Sequence, residues 1–170
     1  MTDRRWLGAS LGLLLFAAAC TGADADATDD LVPYFEELEQ ITVDFEERSQ
    51  SNQGLSQTDI ESTRVFFVAL ISSSEIALDE LSSLDPPEAA QEPHDRLVEL
   101  GGQYLALNQR IAERLGTIET TEEFAALASD QELGIQPQNE LGAQRGTACR
   151  DLQTVADDEG IDVSLHCAPG

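Results

Sequence analysis

The sequence contains no lysine, and its nine basic residues are all arginine, against 33 aspartates and glutamates. With a formal net charge of -24 at pH 7, it offers no cluster of positive charge that could bind phosphates. We therefore expect no nucleic-acid partner, and the same repulsion opposes adsorption onto an anionic lipid surface. Because 41% of the 170 residues are hydrophobic, the chain can form one folded domain with a real core.

Residue patterns typical of catalysis or metal binding are also missing. The two histidines, His94 and His166, lack the Glu-x-x-His spacing of di-iron bundles, since Gln91 and Val163 stand three residues before them. There is no Gly-x-Ser-x-Gly turn, EF-hand loop or phosphate-binding loop with its lysine. The sequence therefore predicts no enzyme, no cofactor and no metal site. A calcium site on an acidic helix and a pair of catalytic carboxylates remain as alternatives.

The first twenty residues have the pattern of an export signal. Arg4 and Arg5 precede an apolar stretch, Trp6 to Ala19, which ends at Cys20. This stretch is shorter than the roughly 20 residues that a transmembrane helix needs, and its layout is typical of a signal peptide. The residues Phe16-Ala17-Ala18-Ala19-Cys20 resemble the lipobox of bacterial lipoproteins, although Ala17 stands where that family most often has leucine.

The lipobox resemblance implies that a signal peptide of residues 1–19 is removed and that Cys20 carries diacylglycerol. An ordinary secretory signal and an uncleaved anchor are the alternatives, and the paired arginines leave twin-arginine export open. Residues 20–30 contain four aspartates and no large apolar side chain, so we expect a flexible acidic tether. The expected location is the extracytoplasmic face of a bacterial cell membrane, reached through the N-terminal lipid.

From residue 31 onward, apolar residues recur at helical spacing and predict an all-α fold over 31–170. We expect an antiparallel bundle of four to five helices with an extended, disulfide-pinned C-terminal segment. The expected long helices span about 31–48, 58–84, 87–115 and 139–158, and a shorter helix follows the capping box of Thr120 and Glu123.

Several residues carry more detailed expectations. Pro33 fits the first turn of the first helix, Thr58 and Glu61 have the spacing of a capping box, and Gly116 is a candidate C-cap. Pro93 should kink or restart the third helix.

Two apolar or small-residue runs indicate how the helices pack. The run Val65 to Ile71 is apolar on every side, which favours a central helix, with a buried strand as the alternative. Gly101 and Gly102 indicate a close crossing of two helices.

The three cysteines have different expected roles. If Cys20 carries lipid, Cys149 and Cys167 are left to pair in an oxidising compartment. A redox pair is the alternative, although it would favour the closer Cys-x-x-Cys spacing. Between the pair, apolar and polar residues alternate from Ile161 to His166, which predicts an extended segment with one side on the helices.

The pattern Pro86-Pro87-Glu88, followed by His94 and a long helix, is similar to one seen in uncharacterised helical lipoproteins of bacteria, and implies architecture only. The sequence thus predicts a noncatalytic lipoprotein that binds or supports another component of the cell envelope, with a protein as the expected partner. The alternative is a lipoprotein that holds a cation or small molecule inside the bundle, for which Tyr104 and His94 are candidate pocket residues.

Overall fold

The computed structural model describes residues 25–53 and 59–167, which form helices and connecting segments without a strand. The five helices are α1 (Ala25–Gln53), α2 (Ile60–Ser83), α3 (Glu88–Thr117), α4 (Thr121–Ala128) and α5 (Ile135–Asp158). α3 packs against both α2 and α5, and α1 packs against α2. The all-α bundle expected from the sequence is confirmed.

The first helix begins earlier than the sequence predicts. Residues 25–30 were expected to belong to a flexible tether, but they form the start of α1, while residues 20–24 lie outside the described part. Pro33 therefore lies in the interior of the helix and not in its first turn. Its ring removes one backbone hydrogen bond from the helix.

The capping box of α2 is displaced by one residue from its predicted position. The Asp59 side chain accepts a hydrogen bond from the backbone N–H of Ser62 at 2.8 Å, so Asp59 is the N-cap. Glu61 forms an ion pair with Arg64 at 3.1 Å and takes no part in the cap, while Thr58 lies outside the described residues. Asp and Ser provide the same reciprocal bonds as the expected Thr and Glu.

The beginning of α4 follows the sequence prediction. The hydroxyl of Thr120 accepts from the backbone N–H of Glu123 at 3.2 Å, and the Glu123 carboxylate accepts from the backbone N–H of Thr120 at 3.1 Å. The predicted capping box is confirmed.

The end of α3 differs from the prediction that Gly116 would cap it. Gly116 lies in the last turn, and Ile118 is the C-cap residue. The Arg64 guanidinium of α2 donates to the carbonyl oxygens of Leu115 at 2.9 Å and Ile118 at 2.7 Å. Because this side chain satisfies carbonyls at the helix end, a left-handed glycine cap is not needed. At its other end α3 continues through Pro93 without the expected restart.

The last helix starts at Ile135, four residues before the expected Asn139. Pro137 lies in the first turn, where its missing N–H would have had no helical partner. Gly134 is the N-cap, and a Cβ at this position would collide with the backbone oxygens of Asp130 and Ala128. The close turn between α4 and α5 thus requires a glycine.

The C-terminal segment is extended and pinned as predicted. Ile161 and Leu165 are buried, whereas the alternating residues Asp162 and Ser164 are exposed. A disulfide joins Cys149 of α5 to Cys167, with 5.6 Å between their Cα atoms. The segment is also bonded to the helices, because the Gln153 amide donates to the Val163 carbonyl and accepts from the Leu165 N–H.

The buried apolar residues form two separate clusters. The disulfide-side cluster contains Leu31, Tyr34, Phe35, Leu38, Leu81, Ala90, Cys149, Leu152, Ala156, Ile161 and Leu165. The α4-side cluster contains Phe67, Leu107, Ile111, Leu115, Ile118 and Leu127. Each of α2, α3 and α5 has residues in or against both clusters, at different points along its length. The two clusters therefore occupy opposite ends of the bundle.

The expectation that neighbours surround α2 on every side is wrong. The run Val65 to Ile71 is helical and packs mainly against α1 and α3, but Val65 and Val68 are exposed. α3 likewise has two main neighbours, α2 and α5. Gly101 of α3 lets Leu78 of α2 approach, because an added Cβ would lie 3.1 Å from the Cδ1 of Leu78. The expected close crossing is therefore formed by Gly101, while Gly102 has open space around it.

Candidate functional site

The predicted lipid-bearing residue, Cys20, lies outside the described residues, so its role stays a prediction. The other two cysteines form the disulfide described above.

His94 is buried in the bundle and bonded to a tyrosine of α1. Its side chain is 3% exposed, and its Nδ1 lies 2.9 Å from the hydroxyl of Tyr34. Tyr104, the other candidate pocket residue, packs against Arg145 instead. The structure therefore does not bring His94 and Tyr104 into one pocket.

Electrostatics keep both members of this pair neutral at pH 7. Burial lowers the pKa of His94, and the charge of Asp95 opposes part of that change. Burial also raises the pKa of Tyr34, and Asp95 acts in the same direction. In the tautomer whose Nδ1 accepts a hydrogen bond from the Tyr34 hydroxyl, the neutral imidazole carries its proton at Nε2. A histidine that acts as a general base is usually oriented by a hydrogen bond to a carboxylate, whereas Nδ1 of His94 is bonded to the hydroxyl of Tyr34.

An open cleft of about 430 Å³ lies beside Tyr34, where the start of α1 meets the α2–α3 connection. Its lining residues are Asp30, Pro33, Tyr34, Glu37, Ser83, Leu84, Asp85, Pro86 and Pro87. Three of these are carboxylates, yet no three His, Cys, Asp or Glu side chains converge on a metal position anywhere in residues 25–53 and 59–167. The cleft is acidic but has no built ligand set.

Two buried polar side chains, on α2 and α3, lack hydrogen-bond partners. Asn108 is 0% exposed, and neither its Oδ1 nor its Nδ2 has a hydrogen-bond partner. The hydroxyl of Ser74 on α2 is likewise buried without a partner. A hydrogen bond of 3.2 Å between Gln109 and Glu75 joins the two residues that follow Asn108 and Ser74 in the chain, so both lie at the same level of the bundle.

Arg145 of α5 packs against two aromatic rings. Its guanidinium lies 4.7 Å from the ring centroid of Tyr104 and 6.0 Å from that of Phe45. Its Nε is buried without a partner, and Arg145 is absent from the ion pairs formed within the described part of the chain. Burial lowers the pKa of Arg145, but an arginine stays charged at neutral pH. An unpaired half-buried cation is unexpected in a chain with 33 acids.

The sequence patterns do not identify Asn108 or Arg145. The apolar residues of α3 predict a helix, but they do not single out Asn108 between Leu107 and Ile111. An asparagine next to core positions on an amphipathic helix is a signal that the sequence does contain. Nothing in the sequence indicates that Arg145 meets Tyr104, because that contact depends on how α3 and α5 pack.

The outer face of α2 carries an exposed apolar stripe. Val65, Val68 and Ile76 are 47%, 66% and 42% exposed, and the exposed Ser72 lies between them. These four residues recur at spacings of three or four along the helix, so they share one face. The exposed acids Glu61, Glu75 and Asp79 border the stripe.

Comparisons with models of protein families, with curated proteins and with solved structures give no match for this chain. In the part of the chain that the structure describes, every helix is too short or too polar to cross a membrane.

Proposed function

We propose that the protein is a noncatalytic lipoprotein, anchored through Cys20 to the extracytoplasmic face of a bacterial membrane, that binds another envelope protein. The observation that carries the binding role is the α2 stripe of Val65, Val68, Ser72 and Ile76. The anchoring role rests on the lipobox-like residues that end at Cys20.

The stripe has the form of a helix-packing surface. The side chains of Val65, Val68 and Ile76 are each more than a third exposed, although they lie inside a long helix and away from its ends. Ser72 between them is small, so another helix could approach closely along the whole stripe. Covering such a stripe with the apolar face of a second helix is a common mode of recognition.

The chemistry of the partner follows from the charges around the stripe. Glu61, Glu75 and Asp79 flank it, and the chain as a whole carries -24. A partner helix with lysine or arginine beside its apolar residues would be attracted both by these flanking acids and by the overall negative charge. An acidic partner, including a second copy of this chain, would be repelled.

The proposal is tested by photo-crosslinking in cells that naturally produce the protein, with a crosslinking amino acid in place of Ser72. We expect a crosslinked envelope protein with a basic amphipathic helix. Val68→Asp should abolish the crosslink by placing a charge in the stripe. Ile135→Asp is the matched control, because Ile135 is 57% exposed but lies at the start of α5. An unchanged crosslink with Val68→Asp would exclude the α2 stripe.

The same cells test the anchor by fractionation. Cys20→Ala should release the protein from the membrane fraction after signal cleavage, while Val68→Asp should leave it membrane-bound. If processed Cys20→Ala protein stays in the membrane fraction as fully as the wild type, the lipid anchor is wrong. Because each variant affects one readout, the binding role and the anchoring role can fail separately.

A further inference from the structure

We propose that the cleft beside Tyr34 binds a linear polyamine, with the ammonium groups of the ligand on carboxylates and its methylene chain against apolar walls. The cleft has a volume of about 430 Å³ and lies between the start of α1 and the α2–α3 connection. This site is independent of the lipid anchor and of the α2 stripe. It rests on the spacing and the chemistry of the groups that line the cleft.

One wall of the cleft is a single face of α1. Pro33 and Tyr34 lie three and four residues after Asp30, and Glu37 lies three residues after Tyr34, so these four lining residues are on one side of the helix. The carboxylates of Asp30 and Glu37 stand at the two ends of this face, roughly 10 Å apart along the helix axis. The side chains of Pro33 and Tyr34 form an apolar surface between them.

The opposite wall is mainly apolar. It is formed by the α2–α3 connection, where Leu84, Pro86 and Pro87 are half-buried and Asp85 is exposed. A methylene chain in the cleft can therefore bury apolar surface against both walls. Asp85 adds a third carboxylate on this side.

The cleft offers hydrogen-bond acceptors but no free side-chain donor. The Tyr34 hydroxyl is bonded to Nδ1 of His94 at 2.9 Å, and the Ser83 hydroxyl donates to the Glu80 carbonyl at 2.7 Å. Among the residues that the structure describes, the three carboxylates of the cleft form no ion pair and accept no hydrogen bond. A matching ligand therefore supplies donors only, as an ammonium group does.

The same groups argue against a metal ion and against a peptide. A metal ion needs several converging oxygen ligands, and no such set of side chains is present in the described helices and connections. A peptide segment would leave its carbonyl groups without side-chain donors in the cleft. A linear polyamine avoids both problems, because its charges are separated along the chain and it carries no acceptor. The overall charge of -24 also attracts a polycation.

The arrangement of the carboxylates predicts an order of affinities. Putrescine has an ammonium group at each end of a short methylene chain, so it can contact Asp30 and Glu37 at the same time. Spermidine has one more ammonium group, which can bond to Asp85. Butylamine has a similar chain with a single ammonium group. We therefore expect spermidine to bind most tightly and butylamine least tightly.

The inference is tested by isothermal titration calorimetry of the purified protein at constant ionic strength, with spermidine, putrescine, butylamine and magnesium chloride as titrants. We expect saturable binding of one spermidine per chain, weaker binding of putrescine and no saturable binding of butylamine. Magnesium has the same charge as putrescine but no methylene chain, so it should bind less tightly than putrescine. The inference is overturned if spermidine binding does not saturate, or if magnesium binds as tightly as putrescine.

Two double variants test whether the cleft is the site. Asp30→Asn/Glu37→Gln should weaken spermidine binding at least about fivefold, because it removes both carboxylates of the α1 face. Glu36→Gln/Glu47→Gln is the matched control, since it removes the same charge from exposed positions of α1 outside the cleft. Equal weakening by the two double variants would show that spermidine responds only to the overall charge, and it would overturn the inference.

Circular dichroism shows whether the variants fold, and we expect unchanged helix content because all four positions are exposed. If Asp30→Asn/Glu37→Gln loses helix, Asp85→Asn replaces it, with Glu88→Gln as its control. Glu88 is an exposed acid near the cleft but outside its lining. Equal spermidine affinity in this second pair would likewise overturn the inference.

Discussion

The buried imidazole of His94 couples folding to pH. Burial holds its pKa below the usual 6.5, so the folded state keeps it neutral while the unfolded state binds a proton below that pH. The unfolded state then binds more protons, and stability falls as the pH decreases from 6.5 toward the lowered pKa. Above pH 6.5 this contribution is fully present, and below the lowered pKa the loss is complete.

We predict that His94→Gln removes this pH dependence. The free energy of unfolding should be measured by denaturant titration between pH 7 and pH 5, and the wild type should lose more of it than the variant does. His166→Gln is the control, because His166 is exposed and should leave the loss caused by His94 in place. Equal slopes for wild type and His94→Gln would contradict the burial argument.

Single residues also show how far sequence patterns reach. The candidate His94 was recognisable, but its partner Tyr34 lies 60 residues earlier in the chain, and only the packing of α1 against α3 unites them. Ile161, Asp162 and Ser164 were placed correctly because alternation along an extended segment is a local pattern.

At the end of α3, one side chain of α2 adds polar contacts between the two helices. Arg64 donates hydrogen bonds to the carbonyls of Leu115 and Ile118, and its alkyl chain crosses from one helix to the other. This bond set takes the place of the glycine cap expected from Gly116. Helix propensity and cap signals describe one helix at a time, so they cannot detect a cap that comes from a neighbour.

We predict that Arg64→Met lowers the free energy of unfolding by about 2 kcal/mol, the typical loss of hydrogen bonds from a charged donor. The methionine keeps most of the apolar contact and removes the bonds. Arg114→Met is the matched control, since Arg114 is exposed at the same end of α3 and bonds only to nearby Thr117 among the contacts described. Denaturant unfolding measures the loss of unfolding free energy in each variant, and we expect the loss to be larger for Arg64→Met. Equal losses in the two variants would show that Arg64 does not cap α3.

The core of the bundle contains two apolar clusters, and the disulfide is attached to one of them. Cys149 is itself part of the disulfide-side cluster, and Ile161 and Leu165 of the pinned segment complete it. The α4-side cluster has no covalent link in the described residues. Separate clusters of this kind are expected to open as separate cooperative units.

We predict that Cys149→Ala/Cys167→Ala lowers the free energy of unfolding by about 3 kcal/mol, mainly by freeing the unfolded chain. Hydrogen exchange should show faster opening at Leu152 and Ala156 than in the wild type, with little change at Ile111 and Leu115. The control is the wild type under reducing conditions, which should behave like the double variant. Equal acceleration in both clusters would show that the bundle opens as one unit.

The sequence by itself determined the helices, most of their ends and the cysteine pair, because these depend on local periodicity, caps and chain reach. The tertiary structure decided which helices and side chains contact one another. It packed α2 against α1 and α3 on part of its surface only, and it left Val65 and Val68 exposed. It also brought Arg145 to Tyr104, and it buried Asn108 without a hydrogen-bond partner. Hydrophobicity says how much of a helix can be buried, but only packing decides which face is covered and which polar group loses its water.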